Sequence, residues 1–303
     1  MDLWSGAREL YFSLREYGGD RAYDEIIFPW LVEGREGYCA ELAPLATFGQ
    51  VPGGPDRREG YWLAIPYALS RVSDVLLLGF QPDLGPGMDT PWAHQLHLVG
   101  NAWPAVTREQ YLDLFSALGM IPVAETRFDP FLHEIVEVDQ AEDPDAPITV
   151  TELVWPGLML GQLMFARAGV RIRAGANHAQ RDVADRSPLY ATFLRRHRPT
   201  IDPSLGWGHN SQWDTDFRRD YRTDHAVHLN IDATGQIDVP GLEDEINPLL
   251  TIDERRDLLR HRCLLRTPDA ALALAGKDPY WQTNLWPYDW KLTIPPHHSD
   301  CFA

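Results

Sequence analysis

Between Gly206 and Tyr221 the chain reads GWGHNSQWDTDFRRDY, its densest run of side chains with chemical potential. His209 is an imidazole that titrates near neutral pH, as a general acid or base must, and Asp214 or Asp216 is placed to orient or assist it. If this run is a strand, the two carboxylates stand about 7 Å apart. That separation is found in inverting glycosidases, but also wherever two acids alternate on a strand. Trp207 and Trp213 offer apolar walls and Asn210 a polar contact. Gly206 and Gly208 permit a sharp turn at the strand entrance. Alternation from Asn210 to Tyr221 puts Asn210, Gln212, Asp214, Asp216, Arg218 and Asp220 on one wholly polar face. The other face carries His209, Ser211, Trp213, Thr215, Phe217, Arg219 and Tyr221. A strand with one solvated face gives the same pattern without chemistry.

Just upstream the chain turns basic. Arg167 to Arg198 holds eight arginines (167, 171, 173, 181, 186, 195, 196, 198) against Asp182 and Asp185, a charge of +6 in a protein of −17. The planar guanidinium fork suits carboxylate and phosphate, so Arg195, Arg198 and Arg218 are the candidate holders of an anionic ligand. Self-pairing is the competing reading. Arg167, Arg171 and Arg173 alternate along a strand-like stretch and have Glu134, Glu137 and Glu152 available to them.

Metal chemistry has weaker support. His94 and His97, like His225 and His228, have a spacing that diverges on a strand. His133 and Glu137 share a strand side but lie about 13 Å apart, too far for one ion. The tail PPHHSDCFA combines His297, His298, Asp300 and Cys301, and reads first as a flexible end. No GxSxG elbow, phosphate loop, GxGxxG after a strand, or HExxH occurs. No metal, nucleotide or nicotinamide cofactor is expected.

The net charge of −17 disfavours nucleic acid and anionic membranes. Hydrophobic residues at 44% and charged residues at 23% describe a globular chain with a real core. No apolar run approaches the roughly 18 residues of a membrane span. The N-terminus lacks the basic-then-apolar pattern of a signal peptide. Three scattered cysteines, Cys39, Cys263 and Cys301, form no disulfide framework. A cytoplasmic location follows as the expectation. Twenty-five arginines against two lysines suggest a GC-rich, bacterial genome.

The elements that must position these residues read as α+β, with mainly antiparallel sheet in the middle and helices near both ends. Leu3 to Tyr17 has helical apolar spacing, and a second helical stretch follows through Ile26 to Leu31. Gln50 to Gly60 and Pro82 to Pro91 are turn-rich loops. Strands are expected at Asp74 to Phe80, His94 to Val99, Ile121 to Arg127 and Phe131 to Val138. Thr107 with Gln110 forms a capping box for a helix ending at Gly119. After the acidic segment Asp139 to Pro147 come strands at Ile148 to Trp155, Leu158 to Ala166 and Val170 to Arg173. A helix capped by Ser187 ends before Pro199, its last turn cationic. Strands at Ser211 to Tyr221 and His225 to Asp232 form a hairpin. A Thr251/Glu254 capping box opens another helix, Thr267 to Ala275 a short one, and Trp290 to Ile294 is a last strand. One globular unit, 1–303, is expected. The alternative is two lobes, 1–139 and 148–303, joined by 140–147.

The leading expectation is an enzyme that uses acid-base chemistry on a polar anionic small molecule or peptide. The first alternative is a non-catalytic immunity or accessory protein whose acidic surface binds a basic partner. The second is a carbohydrate-active protein with tryptophan stacking platforms.

Overall fold

The computed structural model describes residues 3–50, 63–81, 104–123, 125–186, 217–233, 235–237, 251–261, 266–277 and 290–295. It is an α+β fold, helical toward both ends with an antiparallel-dominated sheet in the middle. α1 (Leu3–Glu16), a π-helical turn (Tyr23–Ile27), α2 (Phe28–Leu42), a 3-10 turn (Ala43–Ala46), α3 (Ala64–Leu77) and α4 (Arg108–Ala117) come first. The strands β1 (Ile121–Val123), β2 (His133–Gln140), β3 (Thr149–Trp155), β4 (Gly157–Leu160), β5 (Leu163–Ala166) and β6 (Ala168–Ala174) follow. β7 (Tyr221–Arg222), β8 (Val227–Leu229), β9 (Gly235–Gln236), α5 (Ile252–His261), α6 (Pro268–Lys277) and β10 (Trp290–Ile294) complete the described elements.

Local rules account for several of them. α1 buries Leu10, Tyr11 and Leu14 at helical spacing against α3. α4 opens on the expected capping box: Thr107 Oγ1 accepts the Gln110 N–H and Gln110 Oε1 accepts the Thr107 N–H. At α5 the Glu254 carboxylate accepts the Thr251 N–H and Thr251 Oγ1 accepts the Glu254 N–H.

The strand expected over Asp74 to Phe80 is instead the last turn of α3, through Leu77, and the turn that follows it. Every residue from Pro66 to Leu77 is buried, the polar Ser70, Arg71, Ser73 and Asp74 included, so no face of the helix meets solvent. The polar residues inside are satisfied locally. Arg71 pairs with Asp74 one turn on at 2.9 Å, and Ser73 shares a hydrogen bond with the Tyr111 hydroxyl. The single strand expected over Leu158 to Ala166 is a hairpin, because Gly161 turns the chain with φ of +55°. Phe217 to Asp220 is not strand, and sheet pairing starts only at Tyr221. The expected elements at 82–100, 187–199 and 211–216, most of the loop at 50–60, and the tail from 296 lie outside the described residues.

The described strands form two sheets, one in the order β1-β4-β5-β7-β8-β10-β9 and one in the order β2-β6-β3. Residues 141–148 connect β2 to β3, the two strands that flank β6. The open edge of β2 is covered: the Asp185 carboxylate accepts the Val138 N–H, and Arg181 Nε donates to the Val138 carbonyl. The helical layer, β4, β5, Phe217 and Tyr221 share one apolar core. A second core sits at the far end of the large sheet, where Val227, Leu229, Trp290 and Leu292 pack with Leu259 of α5.

Candidate functional site

Residues directly opposite on neighbouring strands share a face of the sheet. The register pairs Leu163 with Tyr221, Tyr221 with His228, and His228 with Thr293, so four strands place these residues in one row. Lys291 lies two residues from Thr293 and so on the same face, beside Gln236 of β9. The intervening residues, Val227, Leu229, Trp290 and Leu292, fall on the opposite side and fill the second core. Burial of that side fixes the register, and the register puts the polar set together.

The third wall comes from far upstream. The Gly161 turn docks on the 3-10 turn after α2, with the Gln162 N–H donating to the Ala46 carbonyl and the Phe48 N–H to Gln162 Oε1. A Cβ on Gly161 would lie 2.4 Å from the Ala46 oxygen, so only glycine allows this approach. The docking places the Phe48 ring on His228, centroids 3.8 Å apart and planes 9° apart, and edge-on to Tyr221.

Arg219 closes the remaining side. It makes a two-point pair with Asp232 through Nε and Nη2, and its guanidinium lies over the Tyr221 ring. Burial raises the Tyr221 hydroxyl above its ordinary range. Burial also lowers the His228 imidazole below its ordinary value of 6.5, so it is neutral at physiological pH. One of its nitrogens, Nδ1, is 3.1 Å from Thr293 Oγ1.

These groups bound an open cleft of about 330 Å³, whose lining includes Phe48, Arg219, His228, Gln236, Lys291 and Thr293. Lys291 is one of two lysines in the chain, and among the described residues it has no ion-pair partner. A lysine ammonium, a carboxylate-paired guanidinium, an aromatic wall, an amide and a neutral imidazole line one solvent-open volume. Such a set can hold a small anion and exchange a proton with it.

No protein-family model, curated protein or solved structure matches the chain. The reading of this site therefore rests on its own geometry.

Of the residues singled out from sequence, His209, Asp214, Asp216, Trp207, Asn210, Trp213, Arg195 and Arg198 lie outside the described residues. Arg218 is buried, its Nε donating to Asp220 at 2.7 Å and its Nη2 to the Leu259 carbonyl at 2.8 Å. The Asp220 carboxylate also accepts from Arg167 Nη2 and from the Asn230 N–H. Both Arg218 and Asp220, expected on a solvated face, are instead part of an interior ionic cluster.

The five described arginines of the basic stretch all pair with carboxylates. Arg167 meets Asp220, Arg171 meets Glu137 and Glu152, Arg173 and Arg181 meet Asp139, and Arg186 meets Asp182. Arg195, Arg196 and Arg198 lie outside the described residues.

His133 has both ring nitrogens engaged: Nδ1 accepts the Asp129 N–H and Nε2–H donates to the Glu125 carbonyl. Among the described residues no three metal-ligating side chains converge, and no helix is long and apolar enough to cross a membrane. Phe48, Gln236 and Lys291 were not candidates in the sequence, and His228 was considered there only as half of a metal pair. The rarity of lysine was the one available signal for Lys291.

Proposed function

We propose that this protein binds a small polar anion, a carboxylate or phosphate compound, in the cleft between Phe48, His228 and Lys291, and acts on it by proton transfer. The observation that carries the reading is Lys291, a cation with no carboxylate partner among the described residues, in a chain of −17 where the described arginines of the basic stretch are all paired. An ammonium left over in so acidic a protein favours an anion from outside. Arg219, its charge offset by Asp232, lines the cleft beside it. Phe48 gives the ligand an apolar surface.

His228 is suited to accept a proton, since burial holds it neutral. His209, with Asp214 and Asp216, remains the second candidate for that role, and Trp207, Asn210, Trp213, Arg195 and Arg198 its binding partners. No nucleotide or metal is required by either assignment.

The test is a thermal-shift panel of mono-, di- and tricarboxylates, sugar phosphates and inorganic phosphate. A concentration-dependent rise in melting temperature for at least one anion, weakened in Lys291→Gln, supports the site. No shift across the panel, or an equal shift in Lys291→Gln, removes it. Where an anion binds, His228→Gln and His209→Gln should be compared for turnover.

A further inference from the structure

The π-helical turn and α2 carry apolar residues on both sides. Ile27, Leu31, Tyr38 and Leu42 enter the core. Phe28 and Val32, which do not, are 54% and 74% exposed, and Pro29 beside them is exposed as well. Residues four apart meet on a helix surface, so Phe28 and Val32 form one patch.

The rim of this patch is acidic. Asp24 and Glu25 stand one turn before Phe28, Glu33 follows Val32, and Glu36 stands one turn beyond it, all exposed. From Asp20 to Glu36 five carboxylates face two arginines, a net charge of −3. Of those arginines, Arg21 is engaged with Asp24 and Glu25. The Phe28 N–H closes the π-helical turn on the Tyr23 carbonyl. Such turns are frequent at functional sites, and this one sits at the edge of the patch.

We propose that Phe28, Pro29 and Val32 form a docking face for a basic amphipathic helix of a partner protein. Charge complementarity chooses this occupant. A second copy would bring the same carboxylates onto themselves, and an anionic membrane would meet the same repulsion. A helix with an apolar stripe and flanking Lys or Arg covers the patch and meets its rim. This surface is independent of the cleft.

The probe is a synthetic helical peptide of leucine and lysine with one apolar and one cationic face. Its control has the same composition scrambled so that no apolar face forms. Fluorescence anisotropy with wild-type protein should show at least tenfold tighter binding of the amphipathic peptide. That preference should vanish in the double variant Phe28→Ser/Val32→Ser, whose thermal melt should match wild type because both side chains are exposed. Glu25→Gln/Glu36→Gln should reduce the salt dependence of binding. Equal binding of both peptides, or a preference that survives in the double variant, overturns the proposal. So does sedimentation showing a wild-type dimer that the double variant dissociates, since a second copy would then own the face.

Discussion

The His228 imidazole lies parallel to the Phe48 ring, their centroids 3.8 Å apart, although 180 residues separate them in the chain. The contact shields the imidazole from water and lowers its proton affinity from the ordinary 6.5. Among the described cleft residues, Lys291 carries the uncompensated positive charge at neutral pH, since Asp232 offsets Arg219. Acidification adds a second positive charge once His228 takes up a proton.

Anion affinity should therefore rise as pH falls from about 8 to about 5. Sulfate keeps its charge over that range and is the suitable probe by isothermal titration. His228→Gln should flatten the dependence. A flat wild-type profile, or an imidazole titrating above 6.5 by NMR, would contradict the assignment.

Asp220 is 2% exposed and sits between Arg167 and Arg218, at 3.1 and 2.7 Å. Removing its charge leaves two buried guanidinium groups facing each other. Asp220→Asn should cost about 3–5 kcal/mol in urea unfolding. A loss below about 1 kcal/mol would mean that the cluster is hydrated and worth no more than a surface pair.

Gly161 joins strain and approach in one position, with φ of +55° and the Ala46 oxygen where a Cβ would go. Gly161→Ala should destabilise by about 2 kcal/mol or more. Because this turn seats Phe48, the same variant should weaken anion binding while leaving Lys291 in place. Unchanged calorimetric stability would contradict the docking of the turn.

His133 is buried and neutral, its imidazole lowered mainly by desolvation. The unfolded chain takes up this proton near 6.5, and the native state only at lower pH. The stability it contributes is full above 6.5 and falls as pH drops from there toward the native midpoint. His133→Gln should be less stable than wild type at about pH 8 and should lose part of the decline toward about pH 5. An identical pH slope in both proteins would exclude His133 as a source.

The helix starts at Thr107 and Thr251 and the last strand at Trp290 were readable because caps and alternation are local. α3 was not, because its end, Val75 to Leu78, is an unbroken apolar run closed by Gly79, which periodicity alone cannot tell from a buried strand. Phe217 to Asp220 misled for a different reason. Its charged residues imply solvent only if their partners are ignored, and Arg167 lies 53 residues from the Asp220 it meets. The cleft was the least accessible part. Phe48, His228 and Lys291 come from a turn after α2 and from two strands far apart in sequence. Only the register of the large sheet and the Gly161 contact bring them together.

The most direct test of the anion site is calorimetric titration of wild type and Lys291→Gln with whichever anion gives the largest thermal shift. The account predicts a loss of affinity of about 10- to 100-fold in Lys291→Gln, as for one charge-assisted hydrogen bond of about 1.5–3 kcal/mol, with an unchanged melting temperature in the absence of ligand. Equal affinity in the two proteins would contradict it.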